Sequence, residues 1–285
     1  TARVVAGDVT DRAAVDALVA GLPELTAVVH TGLLTARALR QGARIPVFMV
    51  MNLVQPMIWL LLFGQLFRSV VEIPGFSTGG TYLEFITPGV VMMTAMFGAA
   101  WAGTSYVQDM DRGVMDRFLT SPASRGALMA STMIYQAVIA VGQALVVLAV
   151  AWLCGARFGS TPGETTLGVL ALLLAVVLLT ALFSALSNAM ALLTGQQEAL
   201  IGISQLITLP LMFLSSAVMD TSLSADWVAD VARYNPFDWA VVAGREALAA
   251  SPDWGVVWRL GLLALAAVVM GWLATQAFRT RQRSA

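Results

Sequence analysis

Lysine is missing from this 285-residue chain: all 16 of its basic residues are arginine. A Walker A loop needs a lysine to reach nucleotide phosphates and a pyridoxal enzyme needs one for its Schiff base, so neither chemistry is housed here. One cysteine, Cys154, and one histidine, His30, leave no internal disulfide framework and no Cys/His metal cluster within a single chain. Charge is scarce as well, at 12% of residues against 58% hydrophobic, far from the balance of a soluble domain. The long apolar runs hold no acidic or basic residue in their interiors, with Arg259 near the outer end of the last. Proton relays across membranes need such residues, and no half-to-half repeat is visible, so a proton-coupled secondary transporter is disfavoured.

What is present is apolar sequence in lengths that fit a bilayer. A helical span needs about 20 mainly apolar residues, and six segments qualify: Ile45 to Phe67, Phe85 to Val107, Ala127 to Leu153, Leu167 to Thr194, Leu200 to Val218 and Val256 to Phe278. None alternates in the manner of a membrane β-barrel, which leaves an all-α membrane protein of six transmembrane helices. Arginine orients it. Arg37, Arg40, Arg44, Arg112, Arg117, Arg125, Arg279, Arg281 and Arg283 fall on the side of both ends of the bundle, whereas the opposite side is acidic, with Glu72, Glu84, Glu164, Asp220, Asp226, Asp230, Asp238, Glu246 and Asp253. The positive-inside bias places both termini in the cytoplasm of a multi-pass protein.

The loops carry pattern too. Gln108 to Arg125 is a charged insert between two apolar runs, with Asp109, Arg112 and Asp116 at i, i+3 and i+7 and with Met110, Val114 and Phe118, then Met115 and Leu119, at i+4 steps. That spacing predicts an amphipathic helix over about 108–120, ended by Ser121-Pro122. Thr35 to Arg44 predicts an amino-terminal helix that lies on the inner leaflet, unless its arginines only enforce topology. Pro56 and Pro210 should bend the first and fifth spans. Ser204, Gln205, Thr208, Ser215 and Ser216 place polar groups in the fifth, either to bond neighbouring helices or to line a substrate path. Between Met219 and Trp254, two short helices, Ala225 to Arg233 and Trp239 to Ala249, flank Asn235-Pro236 among interfacial aromatics. They read as a re-entrant pair in the outer leaflet, or as a surface loop with an aromatic belt.

Residues 2–30 have a different texture. Val4-Val5, Asp11 to Ala20 and Leu25 to His30 make a short soluble β-α-β-like unit. With its Asp8-Val9-Thr10-Asp11 turn and Val28-Val29-His30 strand, the segment resembles the middle of a polyketide synthase ketoreductase domain. The glycine-rich loop is missing and a Tyr/Lys catalytic pair is impossible without lysine, so hydride transfer is excluded. A non-functional fragment, a fusion or an assembly error, joined at about Thr31, is the expected origin of this stretch.

From about residue 33 onward the chain resembles the membrane subunit of a type-2 ABC exporter, and among these the daunorubicin-resistance type of permease. The resemblance rests on the order of the six spans, on DRGVMDRFLTSPASRGALMAS, where Asp116 stands at a position more often glutamate, and on YNPFDWAVVAGREAL. It implies efflux of an amphipathic drug or antibiotic across a bacterial plasma membrane. It also implies a second copy of the permease, lipid contacts, and a separate cytoplasmic ATPase that holds the ATP and magnesium; this chain itself would bind no cofactor, no metal and no nucleic acid. The ATPase would dock on the charged insert, with Val114, Phe118 and Leu119 as anchors and Asp109, Arg112, Asp116 and Arg117 setting orientation. The alternative is an interfacial helix whose charges pair among themselves. For the substrate path, Met92, Met93 and Met96 with Phe97 and Trp101 offer an adaptable apolar wall opposite Ser204, Gln205 and Thr208, although helix packing accounts for them equally well. Export of a lipid or lipid-linked glycan fits the same fold, and a non-transporting membrane anchor is the remaining alternative.

Overall fold

The computed structural model describes Thr31, Gly32 and Thr35 and residues 53–72, 80–111, 125–159, 161–220, 224–249 and 253–281. Among the described residues the chain is helical and contains no strand. Residues 1–30, and with them the expected β-α-β-like unit, lie outside that set. Of the expected helix Thr35 to Arg44 only Thr35 is described; it is helical, and its Oγ reaches the Ser131 carbonyl at 3.4 Å.

The helices in order are α1 (Leu53–Leu66), α2 (Tyr82–Ala100), α3 (Thr104–Asp111), α4 (Arg125–Leu153), α5 (Pro162–Thr194), α6 (Gln197–Phe213), α7 (Asp226–Ala232), α8 (Pro236–Ala249) and α9 (Trp254–Arg281). Four stretches are long and apolar enough to cross a bilayer: Tyr82–Ala100, Ala130–Leu153, Pro162–Thr194 and Trp254–Gln276. α1 and α6 are shorter apolar helices. α1 contains a π-turn at Trp59–Phe63, just beyond Pro56, whose ring nitrogen has no hydrogen to give the preceding turn.

Local sequence explains the helix starts. Thr81 Oγ accepts from Glu84 N at 3.3 Å while the Glu84 carboxylate accepts from Thr81 N at 2.9 Å, a reciprocal capping box on α2. Thr161 and Glu164 repeat it on α5, with Pro162 in the first turn. α5 ends at Gly195, whose φ of 62° turns the chain directly into α6.

α5 is the hub: it packs against α2, α4, α8 and α9. Leu172, Ala175, Val176 and Leu179 on α5 are fully buried, as are Ile86, Met92 and Met96 on α2, and all join one core with Phe237 and Val241 of α8 and Leu263 of α9. Leu206 and Phe213 on α6, Val268 and Trp272 on α9 and Ile58 and Leu62 on α1 are all more than half exposed. Such apolar faces are tolerated in lipid or against other protein, not in water. Trp227, Tyr234, Trp254 and Trp258 cluster in exposed positions around α7 and the start of α9, the amphipathic aromatics of a membrane interface.

α8 does not fit the alternative of a surface loop. Phe237, Ala240, Val241, Ala243 and Ala247 are buried between α2, α5 and α9, so this short helix belongs to the core. The expected fifth span, Leu200 to Val218, is helical only as far as Phe213, and the chain from Leu214 to Met219 is bent and irregular.

One contact between α2 and that bent segment is steep in its steric demand. A Cβ on Gly89 would overlap the Ala217 carbonyl, whereas one on Gly98, in the same helix, would meet nothing within 4 Å. Gly89→Ala is therefore expected to destabilise the purified protein by about 1–3 kcal/mol through overpacking. Gly98→Ala should be neutral or stabilising by up to about 1 kcal/mol from helix propensity. Thermal unfolding of the two variants in one detergent checks the contrast; equal shifts would refute the close approach.

Candidate functional site: two helix breaks in the bundle

Inside an apolar bundle every backbone amide and carbonyl released by a broken helix must find a protein partner. Two breaks pose this problem. The first lies at Trp101–Gly103, between α2 and α3. The Ala100 carbonyl accepts from Ser187 Oγ of α5 at 2.6 Å and from Ser204 Oγ of α6 at 3.1 Å, and the Gly103 amide donates to Ser187 Oγ at 3.0 Å. Thr208 Oγ donates to the Ser204 carbonyl at 2.8 Å. A crevice of about 10 Å³, room for about one water, opens between Ala100, Ser187, Met190, Ser204 and Thr208.

The expected path residues therefore divide. Ser204 and Thr208 meet at the break, where Ser204 holds backbone. Met96 is fully buried one turn earlier, alongside Met92 and Met93 in the core. Phe97 packs on the edge of that core, and Trp101, one turn on, is 48% exposed. Gln205 has a buried Oε1 without a hydrogen-bond partner. The structure gathers Ser204 and Thr208 at α2's end and turns Trp101 outward.

The second break is Leu214–Met219, and the polar groups of Leu214, Ser216 and Val218 are held by side chains from elsewhere. Asn235 Nδ2 donates to the carbonyls of Leu211 and Leu214 at 2.7 and 2.8 Å, ending α6, while its Oδ1 accepts from Phe237 N at 2.9 Å and starts α8. Ser216 N and Oγ both donate to Asp238 Oδ1 at 2.7 Å, and the Ser216 carbonyl accepts from Arg245 at 2.6 Å. Tyr82 OH donates to the Val218 carbonyl at 2.8 Å. Ser216 thus sits between a carboxylate on one side and a guanidinium on the other.

Electrostatics at this break are those of a sparingly hydrated charge pair. Burial lowers the Arg245 pKa to about 10, opposed chiefly by Asp238, so the guanidinium stays charged at neutral pH. Burial pushes Asp238 up from its ordinary range, and the two Ser216 hydrogen bonds and the charge of Arg245 pull it back. The Arg245 guanidinium also lies 3.7 Å over the Phe85 ring. Phe85 ends a ladder of rings running through Tyr82, Phe67 and Phe63 to Trp59, with successive centroids 4.6–5.9 Å apart. The ladder ties α1 to the break. Glu246 and Arg259 pair at 2.5 Å between α8 and α9, and since Glu246 is 41% exposed that bond adds little.

Among the expected ATPase-docking residues, Asp109 lies in α3, and Arg112, Val114, Asp116, Arg117, Phe118 and Leu119 lie outside the described residues. No group of three or more metal-ligating side chains comes together among the described residues. Reading the sequence for polar residues in the fifth span missed Ser187 in the fourth, and with it the Ser-Asn step that interrupts a run of leucine and alanine. It also took Asn235 only as half of a turn, Asp238 only as an outer-side acid and Arg245 only as part of a motif. Their signal was a hydrogen-bonding or charged residue recurring inside an otherwise apolar helix.

Irregular backbone survives inside a membrane bundle only when protein encloses it, and discontinuous helices held in this way recur in transport proteins. The chain is a multi-pass permease subunit and not an enzyme. It belongs to the ABC-2 type transporter family, whose match covers residues 30–249. It is 26% identical over 227 residues to a daunorubicin resistance ABC transporter permease protein from Streptomyces coeruleorubidus, covering 80% of this chain and 76% of that one. It is 27% identical over 225 residues, 78% of this chain and 74% of the other, to a protein of Porphyra purpurea named provisionally as a transport permease. A similarly named protein of Pyropia yezoensis is 28% identical over 222 residues, with the same coverage. The ketoreductase resemblance of residues 2–30 is not borne out: the family match begins at residue 30, and these relatives are transport permeases.

Removal of one charge at the second break has a defined cost. Arg245→Met leaves the Ser216 carbonyl without its arginine donor and removes the nearest compensating charge from Asp238, and should lower stability by about 3–5 kcal/mol. Adding Asp238→Asn should restore about 0.5–3 kcal/mol of that loss, because the two groups act as one unit. Unfolding of the two single variants and the double variant gives the coupling. Strict additivity would show that Asp238 and Arg245 do not sense each other.

Proposed function

We propose that this protein is the six-span permease of an ATP-driven exporter in a bacterial plasma membrane, working as a pair of chains to move an amphipathic drug or antibiotic outward. The observation that carries the reading is family membership over residues 30–249, together with the resemblance to a permease named for daunorubicin resistance. ABC-2 permeases work with an ABC ATPase. ATP and magnesium belong to that partner, since this chain has no lysine for a nucleotide loop and no motif for a cofactor.

Six crossings are reached by counting α1 and α6 with the four long helices. The apolar run begins at Ile45, ahead of α1. α6, with 17 residues, is about 26 Å long, a little short of a bilayer core, and the enclosed segment Leu214–Met219 completes the crossing. α7 and α8 form a re-entrant pair on the acidic side, which is the outer side, and both termini are cytoplasmic. The insert Gln108 to Arg125 receives the ATPase through Val114, Phe118 and Leu119, with Asp109, Arg112, Asp116 and Arg117 around them. α3, which leads into it, hangs from the Trp101–Gly103 break, so movement of the insert reaches the Ser187 and Ser204 contacts directly. Met96, Phe97, Trp101, Ser204, Gln205 and Thr208 flank that break and form this chain's share of the path.

Two measurements test the reading. Phe118→Asp should cut co-purification of the ATPase by at least about tenfold while the permease stays in the membrane fraction, the loss of a central apolar anchor being worth about 2 kcal/mol or more. Undiminished co-purification would sink the docking assignment. Inverted vesicles carrying both subunits should take up a fluorescent anthracycline only with ATP, and uptake no greater than in vesicles with the permease alone would overturn drug export.

A further inference from the structure

A cavity of about 150 Å³ lies away from both helix breaks, between α4, α5 and α9, lined by Ala130, Met133, Ala185, Asn188, Gly271, Ala274 and Thr275. It sits toward the end of the bundle where α4 begins at Arg125 and α9 ends at Arg281. The described walls are apolar except for Asn188 and Thr275. Asn188 is fully buried, and its Nδ2 donates to Thr132 Oγ at 3.2 Å while its Oδ1 has no hydrogen-bond partner. Whichever way the amide is turned, one polar atom meets Thr132 and the other is left unpaired.

An unpaired buried amide atom is costly, about 1–3 kcal/mol, so the site favours whatever pairs with it. Two further hydroxyls on the same face of α5, Ser184 and Thr180 at one- and two-turn spacing from Asn188, are also buried without partners. Gly271 opens the wall on the α9 side: a Cβ there would meet nothing within 4 Å. None of the described residues lining the cavity is charged, so they offer an ammonium or carboxylate no compensation for desolvation. A hydroxyl both donates and accepts, and so satisfies Asn188 in either orientation. The apolar walls of Ala130, Met133, Ala185 and Ala274 then take its hydrocarbon.

We infer that this cavity is a binding site for the hydroxyl-bearing end of a small neutral amphipath, an aliphatic alcohol in its simplest form, held by Asn188 between α4, α5 and α9. The site is contained within one chain and stands apart from the path proposed above, so it neither needs nor supports the drug-export reading.

Photolabelling of the purified full-length chain with a diazirine derivative of octanol tests it, with labelled positions read by peptide mass spectrometry. Labelling is expected to concentrate at residues 130–133, 185–188 and 271–275 and to be competed by unmodified octanol but not by octane. Gly271→Phe, at a lining position where an added Cβ meets nothing within 4 Å, should abolish it. Gly261→Phe, on the same helix and also in open space, should leave it unchanged. Asn188→Leu should weaken competition by octanol about five- to tenfold, the worth of one buried hydrogen bond. Should that variant fail to fold, the Gly271→Phe and Gly261→Phe pair decides alone. Labelling spread evenly over lipid-facing positions, equal competition by octane, or insensitivity to Gly271→Phe would each overturn the proposal, leaving the cavity to water.

Discussion

The rest of this structure depends on one constraint: backbone polar groups freed by a broken helix must be paired inside an apolar bundle. Where the helices are continuous the chain meets it internally, so α4 and α9 need only apolar side chains and can leave broad faces to lipid. Where α2 stops at Ala100 and α6 stops at Phe213, the debt passes to side chains on other helices. Ser187 and Ser204 answer at the first break, and Asn235, Asp238, Arg245 and Tyr82 at the second.

That division sets the packing. α5 is central because it carries Ser187 to the first break and lines α8, which serves the second. α8 is buried because Asp238 and Arg245 can reach Ser216 only from within the bundle. Gly89 follows from the same demand, since the irregular segment must lie against α2 closely enough for Tyr82 and Arg245 to reach its carbonyls. The aromatic ladder from Trp59 to Phe85 extends the effect to α1. A shift at either break therefore disturbs several helices at once. Such coupling is what a permease needs when one end of its bundle must respond to events at the other.

Much of the helical plan was legible in sequence. Hydropathy located α4, α5 and α9 to within about five residues, because span length is imposed by the bilayer and little else competes with it, but it carried the second span on to Val107, straight through the break that ends α2 at Ala100. The pair of short helices around Asn235-Pro236 was legible as well, from turn chemistry. The early end of α6 was not. Leucine, methionine and valine continue past Phe213, so the hydropathy of Leu214 to Met219 is that of a helix, and only the donors of Asn235 and the carboxylate of Asp238, some twenty residues away, make a bent backbone the better state. The polar residues of α6 were legible as candidates, but whether Ser204 binds a substrate or a carbonyl depended on where Ala100 lies.

By itself, then, the sequence determined that this is a helical membrane protein, because apolar runs of bilayer length admit little else. That conclusion follows from composition, which is local and additive. Only the tertiary structure decided which helices break, that α8 is interior, that Ser187 and Arg245 hold backbone, and that Asn188 faces a cavity. These depend on distances between residues far apart in the chain, and no periodicity in one segment encodes the position of an unpaired group in another.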